Sequence, residues 1–597
     1  MESPESTSSA TPRRVAVIGA GPAGLTAALE LVERGVATSV LEGNHIVGGI
    51  SRTERYRGYR FDMGGHRFFT RSGEVAARWR ALLGDDLLRR PRLSRIYYRR
   101  RFFAYPLKPL DALRGLGWWE GLCILASFLR WQALPHRREE TFEHWVTNRF
   151  GARLFHTFFR AYTEKVWGIP CSELKADWAA QRIKDLSLRS VVASMLSRRS
   201  SNIRSLIEEF DYPRLGPGMM WEAAQARLER AGARVWLEAE VLCLRRSGNR
   251  ITAMQIGDGG AGQWLAADAF VSSMPLTALA ERLDPPAPAA VTDAAARLRY
   301  RSFLTVCLIV DAPDLFPDNW IYIQDPEVTV GRIQNFKNWS ADMCPDAATS
   351  SLGMEYFCNE GDALWNRPDR ELIELGAREL EAIGLGRAAD VIDGCVFRVP
   401  KSYPVYDADY AEQLAVLRAY VDGFENLQTI GRNGLHRYNN QDHAMLTGML
   451  AVRNLLDGAE HDLWAVNADQ EYHEQAVVEK AARVLRGELT RLDPAAFAAA
   501  LGCVSAAMLG LLTLMPVVAG PGGPPLALLA QYFPGYSVSL AGAGLGALYA
   551  GLAGAVLGGI YAGLHNGLPR LWFRILERRF EVPFLRRLFD FVDRGRP

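Results

Sequence analysis

Residues Val15 to Ile18 form a short, unbroken apolar run, and the glycines Gly19, Gly21 and Gly24 follow it directly. No other stretch constrains the fold as much. An apolar run of this length suits a strand buried on both faces. The glycines stand at G-x-G-x-x-G spacing, with Ala23 between the last two. Gly19 permits a tight turn, Gly21 lets backbone N–H groups approach a pyrophosphate, and Gly24 lets the next helix pack closely. A helix is expected from Leu25 to Arg34, its N-terminus facing the anion. Gly35 ends it, and Thr38 to Leu41 forms a second strand. Glu42 then stands where an acid binds a ribose hydroxyl. A glycine-rich turn alone would say little, but strand, turn, helix, strand and acid in order predict a dinucleotide site.

The 597 residues are enough for two or three domains. A net charge of +2 gives no nucleic-acid footprint. The cysteines (Cys123, Cys171, Cys243, Cys307, Cys344, Cys358, Cys395 and Cys503) include no C-x-x-C pair. That pattern fits reduced thiols in a cytosolic compartment, not a disulfide framework or a zinc site. The histidines show no H-x-x-x-H pair, so no metal is expected. Residues 1–13 are rich in Ser, Thr, Pro and Glu; they read as a disordered tail without a signal peptide.

Residues 495–519 and 537–564 carry no charge. Each is long enough to cross a hydrocarbon core of about 30 Å as a transmembrane helix. A pair of buried helices in a soluble core is the alternative. The second run has glycines at four-residue spacing: Gly542/Gly546, Gly554/Gly558 and Gly559/Gly563. Such faces suit close helix approach, either to the first span or to a second copy in a homodimer. Pro516 and residues 520–525 form the link. Arg483, Arg486 and Arg491 precede the first span, Arg570, Arg574, Arg578 and Arg579 follow the second, and residues 520–536 hold no Lys or Arg. This predicts a multi-pass protein of the cytoplasmic membrane, with the catalytic body and both termini cytoplasmic. Residues 566–597 mix aromatics with arginines and read as a basic amphipathic tail lying on membrane lipid. Leu116 to Trp131 is too short to span; it is an interfacial helix or a core helix.

The intervening body reads as a discontinuous α/β domain with insertions. Strand signals return at Arg234, at Arg250 to Ile256 and at Ala269, then at Phe303 to Val310 and Trp320 to Ile323. The expected parts are a dinucleotide-binding domain at 14–75, 211–290 and 411–490, a helical substrate domain at 76–210, and a substrate-domain sheet at 291–410. No second G-x-G-x-x-G follows a strand, so a separate nicotinamide domain is not expected. Gly48, Gly49 and Arg52 supply a second phosphate-cradling position. Gly64, Gly65 and His66 would let backbone approach a flat ring, and Gly431, Arg432 and Gly434 would return to it late in the chain.

These blocks resemble the glutathione-reductase-type FAD fold, in the branch with protoporphyrinogen oxidase, the amine oxidases and UDP-galactopyranose mutase. FAD is the implied cofactor. Its candidate contacts are Gly19, Gly21, Ala23, Gly24, Glu42, Gly49, Arg52, Gly65, His66, Val241, Gly431 and Arg432. The resemblance to UDP-galactopyranose mutase covers most of 14–455, in short blocks. It implies that Phe158, Tyr162 and Trp167 border uracil and sugar, and that Arg182 and Arg332 clamp a diphosphate. Guanidinium forks suit that task. Tyr403 matches a phosphate-bonding tyrosine, Arg432 an arginine beside the flavin, and His66 a histidine of the glycine–histidine block. Some positions depart from the family. Phe69 replaces a histidine, and His436 and Asn439, with Tyr438 between them, replace two tyrosines.

Three functions follow. The first is a mutase that interconverts pyranose and furanose forms of a phosphate-linked sugar in cell-envelope glycan synthesis. The carrier would be a nucleotide or a polyprenyl phosphate, and the flavin reduced, with NAD(P)H as one external reductant. The second is an FAD-dependent oxidase, dehydrogenase or desaturase of a membrane-soluble polyprenol, carotenoid precursor or porphyrinogen. The third is a flavoprotein-like scaffold in a glycan-assembly complex, without catalysis.

Overall fold

The computed structural model describes residues 12–105, 107, 109–176, 209–257, 262–467, 493–519 and 526–579, with side chains as far as His565. The chain divides between Ala468 and Asp469 into two compact units.

The first unit is built on two sheets. Strand β1 (Arg14–Ile18) leads through the glycine turn into helix α1 (Pro22–Glu33) and then strand β2 (Ala37–Leu41). The helix starts at Pro22, earlier than Leu25, because Gly21 is its N-cap. Proline in the first turn costs no hydrogen bond there. β1 pairs in parallel with β2, which pairs with Arg234–Trp236; on its other side β1 meets Ala269–Ser272, then Leu427–Thr429. This five-stranded parallel sheet therefore gathers strands from three separated stretches of chain, a Rossmann-type arrangement. Val15 to Ile18 are buried throughout, as a strand covered on both faces requires.

The second sheet has seven strands. In chain order they are β3 (Ser94–Tyr98), β4 (Arg101–Ala104), β5 (Tyr300–Val310), β6 (Trp320–Ile323), β7 (Arg332–Asn335), β8 (Ser350–Cys358) and β9 (Val391–Pro404). In space they run β9-β5-β8-β7-β6-β3-β4, antiparallel except for the β6–β3 pair. The stretch 76–210 is thus not wholly helical: it donates β3 and β4 to this sheet. Its helices include α2 (Trp118–Ala133), Phe142–Phe150, Ala152–Phe158 and Arg160–Trp167. Helix α3 (Gln441–Asp457) closes the unit against α1, where Gly448 allows the approach: a Cβ there would lie 2.4 Å from the Ala23 carbonyl oxygen.

The second unit contains α4 (Pro494–Ala519) and α5 (Leu540–Arg579), packed antiparallel. Both are long and apolar enough to cross a membrane, with mean hydropathies of 2.1 and 1.7 over their apolar parts. Gly554 and Gly558 face α4, where added Cβ atoms would come within 2.9 Å of Leu501 O and Ala498 Cα respectively. Gly563 meets nothing within 4 Å, so the glycine pattern is only partly an interhelical face. The Thr513 and Tyr536 hydroxyls pair at 2.8 Å. The backbone of α5 continues without a break past residue 564 to Arg579. The tail expected at 566–597 therefore begins as an extension of the second apolar helix, and its part from 580 lies outside the described residues.

Candidate active site

The five- and seven-stranded sheets of the first unit both line one cavity of about 750 Å³. On the Rossmann side the glycines have different reasons to be there. Gly19 takes φ +93°, and a Cβ on it would lie 2.2 Å from Ser273 Oγ. A Cβ on Gly24 would lie 1.9 Å from Gly19 O. The fold itself requires both. At Gly21 a Cβ would meet only Gly49, at an ordinary 3.8 Å, so the protein leaves that room to the cavity. Gly431, at φ +78°, presses on Ala23.

Glu42 directly follows β2 at the cavity wall. One carboxylate oxygen accepts from Ala20 N (2.7 Å), and the other from the backbone and side-chain nitrogens of Asn44 (3.0 and 2.6 Å). Glu42 thus fixes the glycine turn while lining the cavity. Arg52 is buried; its Nε donates to Glu54 and its Nη1 to Gly49 O. Gly49, Gly65 and Val241 also line the cavity. A glycine-floored trough that begins at the N-terminus of α1 and carries a ribose-type acid fits FAD.

The other wall carries the reactive side chains. Arg332, at the start of β7, lies opposite Glu355 on β8 in the antiparallel register. Its fork donates Nε and Nη2 to the two Glu355 oxygens, at 2.8 and 2.5 Å. Gln334 adds a third bond to the fully buried Glu355 (2.9 Å). Gly64 lies beside this pair: a Cβ there would be 3.6 Å from both Arg332 Nη2 and His66 Nε2. His66 opens to the cavity and is otherwise enclosed. Burial, then the positive charges of Arg432 and Arg332, lower its pKa to about 4, so it is neutral near pH 7. Its Nε2 lies 2.9 Å from Met63 O.

Tyr403 and Tyr438 stack at 5.6 Å between centroids, with the Arg432 guanidinium 4.4 Å from the Tyr438 ring centre. Arg432 donates to Asn439 O (2.9 Å) and Ser402 O (3.2 Å) and makes no ion pair among the described residues. It is a cavity-lining cation held by carbonyls. Burial raises the Tyr403 and Tyr162 pKa values, so both phenols stay protonated and able to donate.

The sequence-derived candidates do not all reach this cavity. His66, Arg332, Tyr403, Tyr438, Asn439 and Arg432 line it. Tyr162 stands just behind, edge-on to the lining Tyr322 at 5.4 Å. Trp167 is buried behind the tyrosine pair, 6.1 Å from Tyr403 and 6.2 Å from Tyr438. Phe158 is a core residue packed on Tyr98 and Phe103. His436 is fully buried and edge-on to Tyr300 at 4.7 Å, and burial lowers its pKa to about 4. Arg182 lies outside the described residues.

Sequence reasoning missed Glu355 and Lys165. A lone acid inside the apolar run of β8 is a signal of a buried partner. Lys165 Nζ donates to Asp325 O (2.6 Å) and Val328 O (2.7 Å), holding the turn that leads into Arg332, and burial lowers its pKa to about 8.

A profile of the flavin-containing amine oxidoreductases matches residues 22–456. The chain belongs to that family. Its cofactor is FAD. Among solved structures, reduced UDP-galactopyranose mutase is similar at TM-score 0.67 and 22% identity, covering 77% of this chain and 97% of that one. A candidate protoporphyrinogen oxidase from Exiguobacterium sp. 255-15 is similar at TM-score 0.59 and 18% identity, covering 75% and 99%. A fatty acid isomerase from P. acnes that produces CLA matches at TM-score 0.50 and 16% identity, covering 75% and 99%. These identities establish a shared fold.

Proposed function

We propose that the chain is a membrane-anchored flavoenzyme that interconverts pyranose and furanose forms of a phosphate-linked sugar. The observation that carries this reading is the grouping of Arg332, Arg432, Tyr403 and His66 on one wall of the FAD cavity. Reduced FAD, when bound, supplies a nucleophilic centre and needs no net redox change for this chemistry.

The protein's own groups divide the remaining work. Arg432, held by carbonyls and with no carboxylate partner among the described residues, supplies the positive charge that a departing phosphate needs. Arg332 is neutralised along one edge by Glu355, which fixes its plane so that the other edge can meet a phosphate oxygen. Tyr403, kept protonated by burial, and the Tyr438 hydroxyl beside it can donate hydrogen bonds to the same oxygens. Neutral His66, its Nε2–H directed at Met63 O, borders them without adding charge. Tyr322 and Trp320 give the cavity an aromatic side that fits either a base or an isoprenoid chain. The two apolar helices support the lipid-linked carrier, and the arginines that flank them in sequence support a cytoplasmic catalytic unit.

Dithionite-reduced protein given a sugar nucleotide and a polyprenyl-phosphate sugar, with ring forms followed by NMR, tests the proposal. Isomerisation of at least one is expected; turnover of neither sinks it. A second reading, oxidation of a membrane-soluble substrate, draws support from the Arg332–Glu355 pair, which could be a purely structural ion pair. It predicts anaerobic bleaching of oxidised flavin by a lipid substrate in stopped flow.

A further inference from the structure

Helix α2 turns its most apolar face outward. Trp118, Leu122, Leu125 and Leu129 recur at helical spacing on one side, with Trp119 beside them, and all are exposed; the two tryptophans are 78% and 77% exposed. The opposite side is tied to the protein by polar contacts. Glu120 receives the Arg153 fork (2.5 and 2.8 Å), and Ser127 Oγ accepts from Arg153 N (3.0 Å). Gly151 lets this contact close up, since a Cβ there would come within 2.8 Å of Phe128 N. A lone exposed leucine needs no explanation, but a row of five large apolar side chains along one helix does.

Cations frame that face. At one end the β3–β4 turn carries Arg99 and Arg100, and Arg101 Nη1 donates to Gly115 O (2.7 Å), bringing the turn to the start of α2. Arg114 is exposed nearby, and Arg130, Arg137 and Arg138 lie exposed at the other end. The acids in the same region are engaged: Glu120 by Arg153, Glu139 by Arg149, and Glu140 near Arg138. The face is therefore apolar in the middle and cationic at its ends, with tryptophans at one rim.

We infer that the exposed face of α2 docks the catalytic unit onto an anionic lipid surface. This rests on the reading that α4 and α5 cross a membrane. Residues 468–492 then tether the unit to the bilayer; even fully extended, 25 residues reach only about 90 Å. Indole rings suit the depth of the lipid headgroups, leucines insert below it, and arginines pair with anionic headgroups. The β3–β4 hairpin also joins this face to the cavity lining. Tyr105, directly after β4, packs edge-on at 5.0 Å against Tyr322, which lines the cavity. A substrate whose tail stays in the bilayer would have its head group delivered at this point.

The full-length chain in nanodiscs of phosphatidylcholine and phosphatidylglycerol, with part of the phosphatidylcholine dibrominated in its acyl chains, provides the test. Tryptophan emission is compared between the wild type and a Trp118→Phe, Trp119→Phe double variant, which keeps the face apolar; flavin absorbance verifies that the variant is folded. The wild type should lose a quenchable component carried by two of its 15 tryptophans, and the variant should lack it. Replacing phosphatidylglycerol by phosphatidylcholine should shrink the difference. Equal quenched fractions overturn the inference. Equal fractions together with two chains per disc would assign the face to a second copy instead. Failure of the chain to enter discs removes the membrane reading and this inference together. Unchanged isomerisation with equal quenching would leave the proposed reaction standing and remove only the docking.

Discussion

Arg332 and Arg432 carry the same charge with different obligations. Arg332 shares its charge with the buried Glu355, whereas Arg432 is held by the carbonyls of Ser402 and Asn439. Arg432→Lys should therefore lower kcat/KM more, by about 100-fold, since a lysine cannot keep both carbonyl contacts and a forked phosphate contact. Glu355→Gln should cost about 10-fold by loosening the Arg332 plane. Flavin content should hold in both, and wild-type kinetics in both would remove the phosphate-clamp assignment. Two buried groups away from the arginines set opposing pH dependences. Burial raises the Asp62 pKa to about 7, against the hydrogen bonds from Tyr212 and Thr53, so the folded state binds its proton more tightly than the unfolded chain. That contribution is full below about pH 4 and is lost as pH rises through 7. His436 is the reverse: with its pKa lowered to about 4, stability falls as pH drops from about 6.5 toward 4, by up to about 3 kcal/mol. In thermal melts across pH 4–7, Asp62→Asn should steepen the loss on acidification and His436→Asn should flatten it. Asparagine also tolerates the φ of +43° at 436. Parallel pH profiles for wild type and both variants would contradict the assignment.

Elements explain which parts of the site could be read in advance. The β1–α1–β2 unit was legible because its signals are local: an apolar run, a turn that needs glycine, and an acid one residue beyond a strand. The structure separates two roles within it. Gly24 is demanded by the Gly19 carbonyl, whereas a Cβ on Gly21 would make only an ordinary contact with Gly49. Gly24→Val should therefore fail to fold, and Gly21→Val should fold but purify with little FAD, seen as a low ratio of absorbance near 450 nm to that at 280 nm. A yellow, fully loaded Gly21→Val protein would contradict the placement of the pyrophosphate. The opposite wall was less legible because its contacts are set by strand register. Nothing local to Arg332 announces that Glu355, 23 positions on, is its partner; antiparallel pairing of β7 with β8 makes it so. Aromatic residues were misleading for a related reason. On short helices, side chains that line a cavity and those that pack behind its wall look alike in sequence. Tyr162 stands against the lining ring of Tyr322, whereas Phe158 and Trp167 fill the core.

At the scale of the whole molecule, cofactor binding and the apolar helices belong to different units. Every described residue that lines the cavity lies at or before Ala444, and the chain divides after Ala468. The described core of the first unit has its own hydrophobic clusters, drawn from residues up to Val466. A chain ending at residue 467 should therefore fold and carry FAD at the full-length ratio. If α4 and α5 serve only to hold the enzyme at its substrate, the two carriers should respond differently. Turnover of a sugar nucleotide should survive truncation within about two-fold. Turnover of a lipid-linked sugar in vesicles should fall by roughly the lost effective concentration, 10²-fold or more. The docking face of α2 would remain in the truncated chain, so restoring anionic lipid should recover part of that loss, whereas zwitterionic lipid should not. Loss of flavin on truncation would show that the units do not fold independently. Equal loss for both carriers would mean that the C-terminal helices shape the catalytic unit and do more than tether it.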